Sequence, residues 1–394
     1  MPNPTNTAAW LLTPNTPLIV KPAPFTTPSP TQIVIKNAAV AINPVDHMVV
    51  TMSSILYTWL PSPTILGFDV SGVVHSIGSS TTRFKPGDRV VGLAYGMEKS
   101  RNRASESAFQ EYTVLNTHMV SHIPENMRFE DAAVMPLALS TAATGLFQDD
   151  QLGLKYPSLN PTPTPTPTPT ATATPKPTAN GETVIIWGGS TSVGCNAIQL
   201  AVAAGYEVLT TCSPKNFTYV KTLGASLAFD YNSPTVQRDI IRAMEGRISA
   251  GALTIGNGGA EACLEILARL PRYAAGKERE NRKFIAMAAY PSQEPKPTTL
   301  VLPRYVLYFM MWNVKMWVKA RVKGVGYKFI WGGTLVDNGL GKFLFEDFLE
   351  GALLEGRVVL GPPSEVLGRG LENVQVGFER LREGVSAKKL VVTL

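Results

Sequence analysis

Residues 184–201 read VIIWGGSTSVGCNAIQLA: a short apolar run, a Gly-Gly-Ser-Thr-Ser turn and a helical pattern. A strand, a small-residue turn and a helix N-terminus are what a chain needs to hold backbone N–H groups against a phosphate. Gly188, Gly189 and Gly194 stand where backbone must approach a pyrophosphate and where helix must pack closely on strand. Ser190, Thr191 and Ser192 add hydroxyls, and Val193 lies in the first turn of the helix, whose dipole favours an anion. The strict three-glycine dinucleotide fingerprint is absent, and a Gly/Ser-rich turn can also simply join a strand to a helix. The next strand separates these readings. A site for a ribose 2′-hydroxyl wants Asp or Glu at the end of that strand, about 20 residues on. Here TTCSPKNF (210–217) offers Thr211, Cys212, Ser213, Lys215 and Asn216, and no acid. Hydroxyls and one cation suit a 2′-phosphate, so the pattern predicts NADPH rather than NADH.

The elements that must position these residues follow from pattern. Apolar strands at 184–187, 207–211, 227–229, 252–255 and 284–288 alternate with helical stretches at 193–204, 215–223 and 235–244. That alternation predicts a doubly wound parallel sheet. Residues 1–130 differ: TQIVIKNAAVAI, DVSGVVHSIG and DRVVGLAYG, punctuated by Gly and Pro, predict a compact, largely antiparallel β domain. Helix-like 340–356 and 370–383, then KKLVVTL, close the chain. A length of 394 residues likewise predicts two domains. With 44% hydrophobic and 17% charged residues, the composition is that of an ordinary globular protein and excludes a disordered one. The Pro/Thr segment at 160–180 has almost nothing to bury and predicts an extended surface insertion, with an SH3-type docking site as the sharper alternative.

Compartment and partners are bounded more loosely. MPNPTNTAAW has neither the basic start nor the apolar core of a signal peptide. VLYFMMWNVKMWV (306–318) is too short to span a bilayer and carries Asn313 and Lys315. Cys195, Cys212 and Cys263 form no disulfide framework and no CxxC pair. The expectation is a cytoplasmic enzyme without a membrane partner.

Several segments together resemble the medium-chain dehydrogenase/reductase superfamily: NPVD (43–46), PTILGFDVSGVV (63–74), FKPGDRVVG (84–92), AFQEY (108–112), PLALSTAATGLF (136–147), LGASLAFDY (223–231) and GVSAKKLVVTL (384–394), with the turn described above. The likeness covers nearly the whole chain apart from the Pro/Thr insertion. It is nearest to a fungal branch of trans-acting enoyl reductases and their relatives, often labelled zinc-binding dehydrogenases. It implies a GroES-like β-rich catalytic domain over 1–145, completed by 335–394, and a Rossmann NADPH-binding domain over 181–334. It also implies that Asn43 and Thr141 lie beside the nicotinamide, and that Ser213, Lys215 and Tyr231 bind the adenosine 2′-phosphate end. Asn43 is otherwise a turn residue before Pro44, Thr141 a helix hydroxyl and Tyr231 a strand-end aromatic. The family's lysine two residues after the Asp of NPxD is Met48 here, and His47 is an alternative proton donor.

The zinc label meets the wrong residues. Zinc alcohol dehydrogenases use a Cys in the first motif and Gly-His-Glu in the second, whereas this chain has Asn43 and Gly67-Phe68-Asp69. Neither thiolate nor imidazole is offered, so no metal is expected. Without a Lewis acid, alcohol oxidation loses its usual means of lowering the hydroxyl pKa. Reduction of an activated C=C bond is easier, because hydride goes to the β-carbon and charge spreads onto the carbonyl. The reading is therefore a zinc-free enoyl reductase acting on an enone, quinone or acyl thioester. A soluble quinone oxidoreductase or alkenal reductase is the alternative enzyme, and a weakly active NADPH-binding sensor the alternative outside catalysis. FIWGGTL near 329–335 is the implied apolar substrate wall or else packed core. Arg304, Lys315, Lys319, Arg321, Lys323 and Lys328 lie in a segment without acids, which suits an acidic acyl-carrier domain or CoA phosphates, or is a solvated face. Nucleic acid is not expected, and monomer and homodimer stay open.

Overall fold

The computed structural model describes residues 4–159, 181–273, 280–289 and 301–394. The Pro/Thr segment lies outside them. The chain divides into two compact units, Met1–Ser140 with Gly333–Leu394, and Thr141–Gly332.

The first unit is built on a seven-stranded sheet. Its spine is the strand Gln32–Ala41, whose QIVIKNAAVA is buried along most of its length. Asp69–Ile77, Tyr112–Asn116 and the C-terminal strand Lys389–Thr393 all pair with it antiparallel. Arg89–Leu93 and Val120–His122 extend one side, and Ser364–Arg369 adds a parallel edge beside Lys389–Thr393. Register fixes what meets at one end of this sheet. Val391 opposes Ala41, so two residues further along Lys389 comes opposite Asn43, while Asp69 opposes Ala41. The helix Pro44–Leu56 starts directly after Asn43.

The second unit carries the expected doubly wound sheet. Six parallel strands run in the order Leu227–Asp230, Glu207–Cys212, Glu182–Trp187, Ile248–Thr254, Phe284–Met287 and Gly326–Phe329. Numbered along the chain this is 3-2-1-4-5-6, and the order reverses between Glu182–Trp187 and Ile248–Thr254. Ligands of open parallel sheets bind beyond the carboxyl ends of the strands at such a switch point. Ile185, Leu209, Ala252 and Ile285 make the core, with Leu264 and Leu267 packed from the helix Gly259–Arg269. Neither that helix nor the edge strand GYKF at 326–329 is among the elements expected from the sequence. The edge strand has no fully buried face.

The helix Val301–Lys323 buries Trp312, Met316 and Ala320 at a four-residue spacing. No helix among the described residues is long and apolar enough to cross a membrane. The acid-free segment finds its acids elsewhere in the fold: Lys323 pairs with Glu265 at 2.5 Å and Lys328 with Asp150.

A polar cluster ties helix to sheet in the first unit. His122 Nδ1 lies 3.0 Å from Glu350 and its Nε2 3.3 Å from Asp88, while Arg83 reaches Glu350 at 2.7 Å. Hydrogen bonding to Glu350 raises the His122 pKa above its ordinary 6.5 against the opposing effect of burial. Burial pushes Glu350 up, yet His122 and Arg83 bring it down to about 2. A raised histidine stabilises the fold fully below its unfolded pKa and ceases to do so as pH rises through the folded value. Thermal melts should therefore show wild type losing this contribution as pH rises past about 6.5. His122→Gln should be less stable at the lower pH and flatter across the range; parallel profiles would refute the assignment.

Candidate active site

In the second unit the turn after Glu182–Trp187 sits at the switch point. Gly188 N and Gly189 N both donate to Thr211 O, and Ile255 N donates to Trp187 O at 2.9 Å, so the turn is held by both neighbouring strands. Each glycine answers a steric demand. Gly188 has φ +92°, a β-carbon on Gly189 would lie 2.1 Å from Thr210 Oγ1, and one on Gly194 would lie 2.2 Å from Gly188 O. The fingerprint differs in spacing, but backbone and helix approach as closely as a pyrophosphate cradle requires.

Thr191 caps the helix Ser192–Ala203: its hydroxyl donates to Gly188 O at 2.8 Å and accepts from Gly194 N at 3.0 Å. That hydroxyl is spent on the helix start. Ser190 and Ser192 keep theirs, and among the described residues the N–H groups of Ser190, Ser192 and Val193 have no protein acceptor. These are the orphan donors of a helix N-terminus. On the neighbouring strands Cys212 is in register with Asp230, which brings the next residues together: Ser213 Oγ lies 3.2 Å from Tyr231 OH. Lys215 is exposed in the turn Pro214–Asn216. Asn216 is 8% exposed and its Nδ2 is a buried donor without a partner. One oxygen of the nearby Asp230, Oδ1, accepts from Asn232 N at 2.9 Å. The cradle a β-carbon would fill and the orphaned Asn216 amide both fit a phosphorylated dinucleotide.

Thr141, on the helix Pro136–Phe147, has its hydroxyl against Gly332, where a β-carbon would come within 2.9 Å of Oγ1.

In the first unit the NPVD and GFD motifs meet. Asn43 is 4% exposed, Asp46 and Asp69 0% and Lys389 3%. Asn43 Nδ2 donates to Asp69 Oδ2 at 2.9 Å, and Lys389 Nζ donates to Asn43 Oδ1. Lys389 also pairs with Asp69 Oδ2 at 2.8 Å, and Leu137 N donates to Asp69 Oδ1 at 2.6 Å. Asp46 Oδ2 accepts from Asn43 N at 2.7 Å, while its Oδ1 is buried without a partner. Lys389, Asp46 and Asp69 are functional candidates that sequence reasoning did not single out. For Asp46 a signal existed, since N-x-x-D is capping spacing; for Lys389 none did. Phe68 is buried, His47 Nε2 accepts from Arg382 Nε at 3.2 Å, and burial lowers the His47 pKa. Among the described residues no group of three or more His, Cys, Asp or Glu side chains could hold a metal ion.

A GroES-like domain and a doubly wound parallel sheet in one chain define the class as an oxidoreductase of the dehydrogenase/reductase type. Residues 29–125 match the alcohol dehydrogenase GroES-like domain family. Dehydrogenase pigH of Monascus ruber is 50% identical over 99% of this chain and 100% of its own length. Trans-enoyl reductase himH of Aspergillus japonicus is 33% identical over 92% of this chain and 90% of its own. The crystal structure of CurK enoyl reductase shares the fold with a TM-score of 0.69 at 20% identity, covering 98% of this chain and 99% of that one. The chain belongs to the medium-chain dehydrogenase/reductase superfamily.

Burial pushes the Asp46 carboxyl up from 3.8 to about 7, and nearby Asp69 adds to the rise against hydrogen bonds from Asn43. A carboxyl raised in the folded state binds its proton more tightly there than when unfolded, so stability falls as pH climbs from about 4 to about 7. Asp46→Asn should remove that slope and exceed wild type at pH 8 by on the order of a few kcal/mol in denaturant titrations. Parallel curves for the two proteins would show that Asp46 does not titrate there.

Proposed function

We propose that the protein is an NADPH-dependent, zinc-independent reductase of activated C=C bonds, with enones, quinones or acyl thioesters as the substrate class. The observation that carries the cofactor choice is the Ser213–Tyr231 pair, with exposed Lys215 two residues on from Ser213 and no acid at the end of the strand Glu207–Cys212. Two hydroxyls and an ammonium suit a 2′-phosphate. The free N–H groups of Ser190, Ser192 and Val193 would take the pyrophosphate, with Gly188, Gly189 and Gly194 giving it room, and Asn216 Nδ2 would donate near the adenosine end.

When bound, the reduced nicotinamide supplies a hydride. Asn43 and Thr141 are assigned to its carboxamide end, as hydrogen-bonding groups that orient it. The donor set supports conjugate reduction: an amide stands at position 43 and a buried phenyl ring at 68, so neither residue can polarise an alcohol through a metal. Hydride adds to the β-carbon, the π electrons move to the carbonyl oxygen as an enolate, and a proton from solvent completes the α-carbon. The trans-enoyl reductase relative supports the same reading. Exposed Lys315 and Arg321 on the helix Val301–Lys323 support an acidic carrier domain as the bearer of a thioester substrate.

Fluorescence titration should give NADPH an affinity at least about tenfold above NADH, ~1.4 kcal/mol. Lys215→Ala should weaken NADPH far more than NADH; equal affinities in the wild type would sink the assignment. For the reaction, deuteride from labelled NADPH should appear at the β-carbon of a reduced enone, with the second hydrogen drawn from solvent. Label at the carbonyl carbon would reject C=C reduction and leave the cofactor assignment standing.

A further inference from the structure

The helix Val301–Lys323 is apolar on two sides, and the fold covers only one of them. Trp312, Met316 and Ala320 face the core at every fourth position. On the other side Leu307, Met310, Met311, Val314 and Trp317 are each 59–63% exposed, and Val322 is 80% exposed. Eight of the twenty exposed large hydrophobic side chains among the described residues lie on this one helix, between 306 and 322. Single exposed apolar residues need no explanation, whereas a contiguous patch marks a surface that something else covers. A helix that is apolar all round belongs where no side meets water.

Two features bear on what covers it, and both lie within one compact unit. The first is width. At 100° per residue the exposed positions from 306 to 322 span an arc of about 160°. The seam that one packed helix covers is narrower, about two positions in seven. A flat apolar phase meets the whole arc. The second is charge. No acid occurs from 301 to 336, and Glu265 and Asp150 from other elements are taken by Lys323 and Lys328. Lys315 at the margin of the arc and Arg321 within it are exposed and have no ion pair among the described residues.

We propose that this face of the helix docks on a membrane surface bearing anionic phospholipid. The helix axis lies in the plane of the headgroups, the apolar side chains enter the acyl boundary, and Lys315 and Arg321 meet the headgroup anions. Failure to span, the ground for expecting no membrane partner, does not bear on a helix that lies in the interface. Arg321 is no obstacle there, because its methylenes lie along apolar surface while the guanidinium reaches the headgroups. A second copy of the chain fits less well. Two-fold packing centred on Val314 would set Arg321 of each copy against Leu307 of the other, and the face carries no acid to meet it. The cations alone also suit an acidic carrier domain; the breadth of apolar surface among them favours lipid.

Vesicle flotation of the full chain tests this. Vesicles of equal parts phosphatidylcholine and phosphatidylserine should bind it at least about tenfold better than vesicles of phosphatidylcholine alone. Val314→Glu with Trp317→Glu should lower the bound-to-free ratio at least about tenfold. Lys315→Gln with Arg321→Gln should lower it by about as much, on the charged vesicles only. Trp317→Phe should bind like wild type and lose the blue shift of tryptophan emission that follows entry of Trp317 into lipid. Circular dichroism should show wild-type melting for every variant; should the glutamate pair fail to fold, the emission difference decides in its place. No flotation of the wild type would overturn the proposal. Binding that the glutamates leave intact would also overturn it, as adsorption by charge alone. So would a dimer in sedimentation that the same glutamates dissociate, since a second copy would then be the occupant.

Discussion

One buried carboxylate organises the first unit. Asp69 accepts from the Asn43 amide, the Lys389 ammonium and the backbone N–H of Leu137 in the first turn of the helix Pro136–Phe147. Those three donors come from three separate parts of the chain, and the carboxylate is fully shielded from water. A buried charge persists only where its lone pairs are taken. Removing one partner of such a pair typically costs ~3–5 kcal/mol because the other charge stays buried. The start of the helix Pro44–Leu56, the C-terminal strand and the start of the helix Pro136–Phe147 are therefore held in one place by one side chain. In GFD, the acid serves as a hub of hydrogen bonds, where the zinc enzymes of the superfamily would have Gly-His-Glu supply ligands.

The nucleotide half depends on a different constraint, the closeness of backbone to backbone. Gly188, Gly189 and Gly194 are required by neighbours 2.1 to 2.7 Å from a β-carbon position, whatever ligand is bound. Compaction of the turn by Thr211 and the Thr191 cap then leaves the N–H groups of residues 190, 192 and 193 as the unspent donors. The fingerprint can lose its standard spacing and still leave a tight turn with unsatisfied donors among the described residues.

This contrast explains what was legible in the sequence. The parallel sheet and its phosphate turn are local: strand, turn and helix lie within about 20 residues, and period and glycine placement report them. Ser213 and Tyr231, which the family resemblance rather than local pattern assigned to one end of the cofactor, follow adjacent strands in register. The Asn43 cluster needed contacts across 26 and 346 residues, and Lys389 within KKLVVTL reads as the solvent-facing start of a strand. Its burial is decided by pairing with Gln32–Ala41, which no local pattern encodes. The cation-rich stretch beyond 301 shows the same limit of local reading. Lys323 and Lys328 looked unopposed because Glu265 and Asp150 belong to other elements.

The two constraints bear differently on chemistry. A cradle of unspent N–H groups serves any dinucleotide and is silent about the reaction. The amide at 43 is held in one orientation by the buried pair, its oxygen facing Lys389 and its nitrogen facing Asp69. A neutral amide is no base in either orientation, so what it contributes is hydrogen-bond geometry rather than proton transfer.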